Sequence, residues 1–148
     1  MKLVVQRVEK AKVVRVSDNI TTGEIGLGLL VLVGFKKGDS EKDVEILATK
    51  LSKLRVMSDG QDKMNLSIKD ANGSILIVSQ FTLYANTEDG NRPSFIDAEE
   101  PMKARKLYEL FIASLREKGI AVETGSFGDY MKIDAILDGP VTILICKE

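Results

Sequence analysis

Ile75, Leu76, Ile77 and Val78 form an apolar run set between the turn pair Asn72-Gly73 and the polar cluster Ser79-Gln80-Phe81-Thr82-Leu83. A short apolar run bounded in this way reads as a buried core strand, here entered through a hairpin. Small polar groups then emerge at its far end, where rigid strands present site residues. Asp138-Gly139-Pro140-Val141-Thr142 stands in a similar relation to a second apolar strand, Ile143 to Ile145. Two such interruptions on two core strands point to one composite site.

The rest of the chain supplies a sheet and its covers. Leu3 to Val8 and Lys12 to Val16 read as a first strand pair, Leu27 to Phe35 as a long central strand, and Ser74 to Tyr84 as another. Lys132 to Ile136 with Val141 to Cys146 reads as a closing hairpin. Ser40 is placed to cap a first helix with Asp43 three residues on, and Val44, Leu47, Leu51 and Leu54 recur on one face of it. A second helix begins at Pro101 behind Glu99 and Glu100, carries the stripe Ala104, Leu107, Phe111 and Leu115, and ends at Lys118-Gly119. Both stripes are core-facing covers over a sheet. Met57 to Asp62 and Asn86 to Arg92 read as loops. No repeat or linker divides the chain, so residues 1–148 form a single α+β domain.

At 148 residues the chain is long enough to bury about two thirds of its unfolded surface without staples. The single cysteine, Cys146, has no partner for an internal disulfide, and on an apolar strand with no activating neighbour in the sequence it reads as inert. Ile25 to Phe35, the longest apolar stretch, is too short to span a bilayer. With no secretory leader, a soluble, reducing, cytoplasmic setting without a membrane partner is expected. Net charge is -1, but residues 1 to 16 carry Lys2, Arg7, Lys10, Lys12 and Arg15 against Glu9 alone. That stripe reads either as a phosphate-contacting surface or as the solvated face of a hairpin.

There is no histidine. A Ser-His-Asp or Cys-His arrangement and a histidine-ligated zinc site are therefore excluded, and no metal or cofactor is expected. Thr82 is a hydroxyl in the middle of the polar cluster, but a threonine hydroxyl without an adjacent base is a weak nucleophile. Backbone N–H groups of Phe81 and Thr82 at a strand end offer a different chemistry, stabilisation of an oxyanion at an attacked ester carbonyl. The plain structural alternative has Phe81 packed inward and Ser79, Gln80 and Thr82 bonded to neighbouring strands. For Gly139-Pro140 the plain alternative is a turn, whereas X-Pro bonds adopt the cis form at modest cost and glycine tolerates unusual dihedrals.

Ser79-Gln80-Phe81-Thr82-Leu83 together with Gly139-Pro140-Val141-Thr142 resembles the signature of the D-aminoacyl-tRNA deacylases, proofreading esterases that remove D-amino acids from tRNA. Val5-Gln6-Arg7-Val8, Gly28 to Gly34, Lys63-Met64-Asn65, Arg92-Pro93-Ser94-Phe95, Phe127-Gly128 and Met131 also fall in the family's order and spacing. The resemblance implies largely antiparallel β-sheets curled toward a barrel with two covering helices. It implies a homodimer with the site at the subunit interface, acting on D-aminoacyl-tRNA, with glycine as a further candidate substrate. It assigns Ser79, Gln80, Phe81 and Thr82 to the reaction, helped by the terminal 2′-hydroxyl of the tRNA. Gly139 and Pro140, in cis, would enter the other subunit's pocket and reject L-amino acids; Arg7 would support that loop and Met131 line the pocket.

The chain departs from the pattern at three places. Leu137 stands where asparagine usually opens the Gly-Pro motif, Asp129 where alanine is usual, and Glu88 and Asp89 where lysines are common. A relaxed relative that edits a mischarged L-amino acid carries Pro-Gln-Ala-Thr-Leu instead, and Ser79 and Phe81 argue against it. From another class, the basic stripe alone fits a non-catalytic nucleic-acid-binding module.

Overall fold

The computed structural model describes residues 1–147, and one long strand organises it. β1 (Lys2–Arg15) is 14 residues long. The sequence pattern suggests two strands here because Glu9 and Lys10 interrupt the apolar alternation, but the chain runs straight through them. The interruption is a bulge: the register against the last strand, β8 (Met131–Cys146), shifts between Gln6 and Val8 and again between Val8 and Lys10. An inserted residue moves every later side chain to the opposite face. Leu3 and Val5 face one buried cluster and Val8 the other; past the bulge, odd-numbered Ala11 and Val13 stay on the side of Val8.

Both edges of β1 are used. Along one edge its first half pairs antiparallel with β3 (Gly28–Gly34) and its second half with β2 (Ile20–Ile25). The segment Ile20-Thr21-Thr22-Gly23-Glu24-Ile25 has no apolar alternation, so sequence reasoning passes over it; a turn through Asn19, at φ 57°, folds it back onto β1. Along the other edge β8 pairs from Arg15↔Met131 to Lys2↔Cys146. The closing hairpin expected within β8 is therefore not formed. Leu137 lies opposite Val8 and Thr142 opposite Gln6, so the four residues Asp138 to Val141 bulge outward opposite Arg7 alone.

β6 (Ser74–Ser79) is entered by a tight turn, not a hairpin. Asn72 sits at φ 52°, the Gly73 N–H donates to the Ile68 carbonyl at 3.0 Å, and β6 then runs parallel to β3, from Gly28↔Ser74 to Val33↔Ser79. β7 (Ala121–Thr124) extends the sheet in the same direction. Parallel neighbours need long crossovers. The first consists of α1 (Glu41–Lys53) and a small ribbon, β4 (Met57–Ser58) with β5 (Met64–Leu66); the second contains α2 (Pro101–Glu117). The sheet is thus antiparallel around β1 with a parallel flank. It curls until β2 meets β7, where a Cβ on Gly23 would stand 2.4 Å from the Thr124 carbonyl oxygen, and becomes a nearly closed barrel with two covering helices.

Alternation along β3 and β6 fills both sides of the wall. Leu29, Val31, Val33, Ile75 and Ile77 face the helices, while Leu30, Leu76 and Val78 face the barrel interior. Ser40 caps α1 in a reciprocal pair with Asp43, and Val44, Leu47, Ala48 and Leu51 are its buried face. Glu100 caps α2 ahead of Pro101, which fills the first helical position. The helices are clamped by Glu45, which accepts hydrogen bonds from Lys118 Nζ and Ser114 Oγ, both at 2.6 Å, and from Thr49 Oγ1 at 3.2 Å. Lys118 first and Ser114 second hold the Glu45 carboxyl down to about 2.

A carboxylate with a lowered folded-state pKa contributes stability above its ordinary value, and that contribution is lost as pH falls through the lowered one. For Glu45 the window runs from about 4.5 down to about 2. Thermal unfolding followed across that window should show Glu45→Gln losing less stability on acidification than the parent; parallel curves would mean that the clamp does not titrate. At Gly28 a Cβ would lie 1.8 Å from the Ser74 carbonyl oxygen, a backbone contact that side-chain motion cannot relieve. Gly28→Ala should therefore lower stability by about 2 kcal/mol or more, read as the urea midpoint.

Candidate active site

The polar cluster leaves the sheet as its strand ends. Gln80 makes the last ladder bond, its N–H donating to the Val33 carbonyl at 2.8 Å. Phe81–Tyr84 then winds into a single 3₁₀ turn, so the expected strand through Tyr84 stops at Ser79. Leu83 N–H bonds back to the Gln80 carbonyl and Ala85 N–H to that of Thr82. The first N–H groups of a helical turn have no partner inside it. Those of Phe81 and Thr82 make no hydrogen bond within the described residues.

Side chains in the motif point in different directions. Phe81 is 58 % exposed, which overturns the inward-packed alternative, and it meets Phe95 edge to face at 5.1 Å. Phe95 is carried on a loop held by paired backbone bonds between Asn86 and Ser94, each 2.8 Å. Gln80 Nε2 donates to Thr82 Oγ1. Among the described residues no ionisable side chain bonds Thr82, so its hydroxyl has no base to activate it. Ser79 and Gln80 are half-buried at the rim.

Met131 stands beside this end of β6. Its sulfur accepts from the Ser126 N–H at 3.2 Å and would lie 2.9 Å from a Cβ on Gly125, whose other near neighbours are Val13 and Val78, the latter next to Ser79 in the chain. Arg15 Nη1 donates to Ser126 Oγ, which also bonds Asp129; the unusual aspartate is thereby tied into the turn ahead of Met131. Tyr108 and Phe127, ring centroids 5.5 Å apart, back the same region. The Tyr108 hydroxyl, its pKa raised by burial, donates to the Ile77 carbonyl at 2.9 Å, and Gly125 N–H reaches the same oxygen. Sequence reading missed Tyr108; its place in the helix stripe between Leu107 and Phe111 is the signal that was available.

Gly139 and Pro140 lie elsewhere. Their bond is cis, Gly139 has φ +119°, and both residues are exposed on the bulge opposite Arg7. Arg7 pairs with Leu29, whereas Ser79 pairs with Val33. Four residues of strand separate these rungs, roughly 13 Å. Within one protomer the Gly-Pro pair therefore does not join Ser79–Thr82, and the composite site suggested by the sequence is not intramolecular.

Arg7 itself is buried, 8 % exposed. Its Nε donates to the Asp138 carbonyl at 3.3 Å and pairs with Asp138 Oδ2 at 3.0 Å; Nη1 donates to the Val56 carbonyl at 3.0 Å and to Ser58 Oγ at 3.1 Å. The amino-terminal basic stripe is accordingly dispersed. Lys2 turns over the Tyr84 ring, Arg15 is paired with Asp18, and Lys12 lies opposite Glu24 and Asp134. A cleft of about 860 Å³ contains Lys2, Tyr84 and Lys147 but none of the motif residues, and its four lysines are matched by four carboxylates. Cys146 is exposed and unpaired in any disulfide.

Residues 4–146 match the sequence profile of the D-Tyr-tRNA(Tyr) deacylase family. This chain belongs to that family of enzymes. The D-aminoacyl-tRNA deacylase of Thermotoga petrophila is 53 % identical over 145 residues, covering 98 % of this chain and 96 % of the relative. That of Shouchella clausii is 49 % identical over the full length of both. Among solved structures, the c-Myc DNA Unwinding Element Binding Protein superposes with a TM-score of 0.92 at 36 % identity, covering 100 % of this chain and 99 % of the other. A probable eukaryotic D-amino acid tRNA deacylase has the same fold, with a TM-score of 0.83 at 16 % identity over 97 % of each chain.

Proposed function

We propose that this protein hydrolyses the ester joining D-amino acids to the 3′ end of tRNA, and that it does so as a homodimer. The observation that carries the reading is the pair of Phe81 and Thr82 N–H groups that make no hydrogen bond within the described residues, fixed by a 3₁₀ turn where β6 ends, near Met131. Water adds to the ester carbonyl, and the neighbouring 2′-hydroxyl or solvent takes its proton while delivering one to the departing ribose 3′-oxygen. The developing oxyanion is held by the two N–H groups, each worth about 3 kcal/mol where charge forms. The C–O bond to the ribose then breaks, releasing a free D-amino acid and a tRNA with its 3′-hydroxyl restored. An aminoacyl ester is already activated, so positioning and charge stabilisation suffice without a histidine. A substrate of translation puts the enzyme in the cytoplasm.

Selectivity is assigned to Gly139 and Pro140 of the other protomer. Two observations support action across an interface. The pair is exposed, and the rung it faces lies roughly 13 Å along the strands from that of Ser79 in the same chain. β8 also has no strand on its outer edge among the described residues, and Ile136 and Leu144 on it are 44 % and 63 % exposed. A long open apolar edge is a docking surface for another chain. Rigid backbone inserted beside the Cα of the substrate excludes an L side chain and tolerates a D side chain or none. Glycine, with no side chain to reject, is on this reading a second substrate.

A second reading, binding of nucleic acid without catalysis, is favoured by the likeness to the c-Myc DNA Unwinding Element Binding Protein, whose name describes binding to DNA and which is 36 % identical to this chain. Matched D-Tyr-, L-Tyr- and Gly-tRNA, incubated with the protein at fixed salt, separate the two. Loss of the D and glycyl esters with the L ester spared, and gain of L-ester cleavage in Pro140→Ala, is the expected result. Inertness toward all three with tRNA still bound selects the binding reading. Thr82→Ala should keep D-ester hydrolysis within about tenfold of the parent because the N–H, not the hydroxyl, acts; complete loss in a folded variant would restore a nucleophilic threonine.

A further inference from the structure

We infer that Asp138 is a positioning residue for chiral selectivity: as the counter-ion of buried Arg7, it fixes the angle at which the Gly139-Pro140 loop is presented. The inference rests on the proposed role of that loop as the filter. Asp138 to Val141 leave the register as four residues opposite one, so none of the four has a rung partner on β1. Val141 packs against the helix-side core, and the side chain that bonds the other end of the bulge is Arg7. The guanidinium reaches the loop through Nε, to the carbonyl and the carboxylate of Asp138, and reaches the β4 ribbon through Nη1, to Val56 and Ser58. Its Nη2 comes within 3.3 Å of the place a Cβ on Gly139 would occupy.

A buried guanidinium holds a fixed place only when its charge is matched. Among the described residues Asp138 is the one carboxylate in an ion pair with Arg7, with side-chain exposures of 38 % and 10 %. Val56 and Ser58 offer only neutral oxygens. Without the carboxylate the guanidinium keeps its anchor on the ribbon and loses the attraction that draws the loop onto it. The loop then samples other angles, and the backbone that excludes an L side chain in the partner's pocket no longer stands in one place. Asp138 touches no substrate atom; it acts through Arg7 on the two residues that do.

The test compares D-Tyr-tRNA and L-Tyr-tRNA hydrolysis by the full-length dimer in the parent, Asp138→Asn, Asp138→Glu, Ser58→Ala and Pro140→Ala, with a urea midpoint for each. Asp138→Asn, which keeps size and removes charge, should raise L-ester cleavage relative to D-ester cleavage by about tenfold. Asp138→Glu should recover part of the discrimination, and Ser58→Ala should leak more weakly than Asp138→Asn. A stability change alone moves both esters together and leaves the ratio where it was. If Pro140→Ala leaks and Asp138→Asn does not, Asp138 is not a positioning residue while the filter stands. If Pro140→Ala leaves the ratio unchanged, the filter reading fails and this inference with it.

Discussion

The pairing of β1 on both edges is the constraint on which the other elements depend. One strand supplies a rung to β2, β3 and β8, and its bulge after Val8 turns its apolar face from the helix-covered core to the barrel interior. Without that change of phase, Ala11 and Val13 would point away from Leu30, Leu76 and Val78 and the curl would have no interior to fill. Arg7 sits one residue before the change, on the side of Leu3 and Val5. A charge at that depth is accommodated because the opposing strand has bulged away and offers oxygen atoms where a ladder residue would have stood.

The site that this frame carries is made of backbone more than of side chains. With no histidine in the chain and, among the described residues, no ionisable group bonded to Thr82, the polar motif offers N–H groups at the start of a turn, and their direction is fixed by the strand they follow. Ile77 is the anchor of that direction, since its carbonyl receives both the Tyr108 hydroxyl and the Gly125 N–H just before the strand ends. Preorganised dipoles of this kind need no rearrangement as charge develops. The same arrangement explains why the motif combines Gln80 and Thr82: each satisfies the other, leaving the backbone free.

The parts of the fold set by local rules are legible in the sequence. Both helices are found, the first with its Ser40 cap and the second with its start at Pro101 behind Glu99 and Glu100, because these signals act through neighbours within one turn. The buried runs in β3 and β6 are found because four or more apolar residues in succession have few other uses. What escapes is pairing. Nothing local to Asn72-Gly73 distinguishes a hairpin from the turn that launches a parallel strand, and that choice is made by β3, more than forty residues earlier. Glu9 and Lys10 look like the end of a strand because a bulge and a break have the same composition. The loop at 138–141 looks like a hairpin turn for the same reason, and only the register against β1 shows that its two flanks are one strand. The separation of Gly139-Pro140 from Ser79–Thr82 is likewise invisible until the strands are placed side by side.

The β1–β8 ladder also has a consequence in time. Lys2 pairs with Cys146 and Arg15 with Met131, so β1 is completed along one edge by a strand made more than a hundred residues later. At 5–20 residues per second, that edge waits on the order of ten seconds for its partner. During that interval β2 and β3 can dock on the other side, but the second edge of the strand that carries Arg7 has no partner, and the loop that Arg7 holds has not yet been made. Synthesis order thus leaves the Gly139-Pro140 loop to assemble after the strand on which it docks.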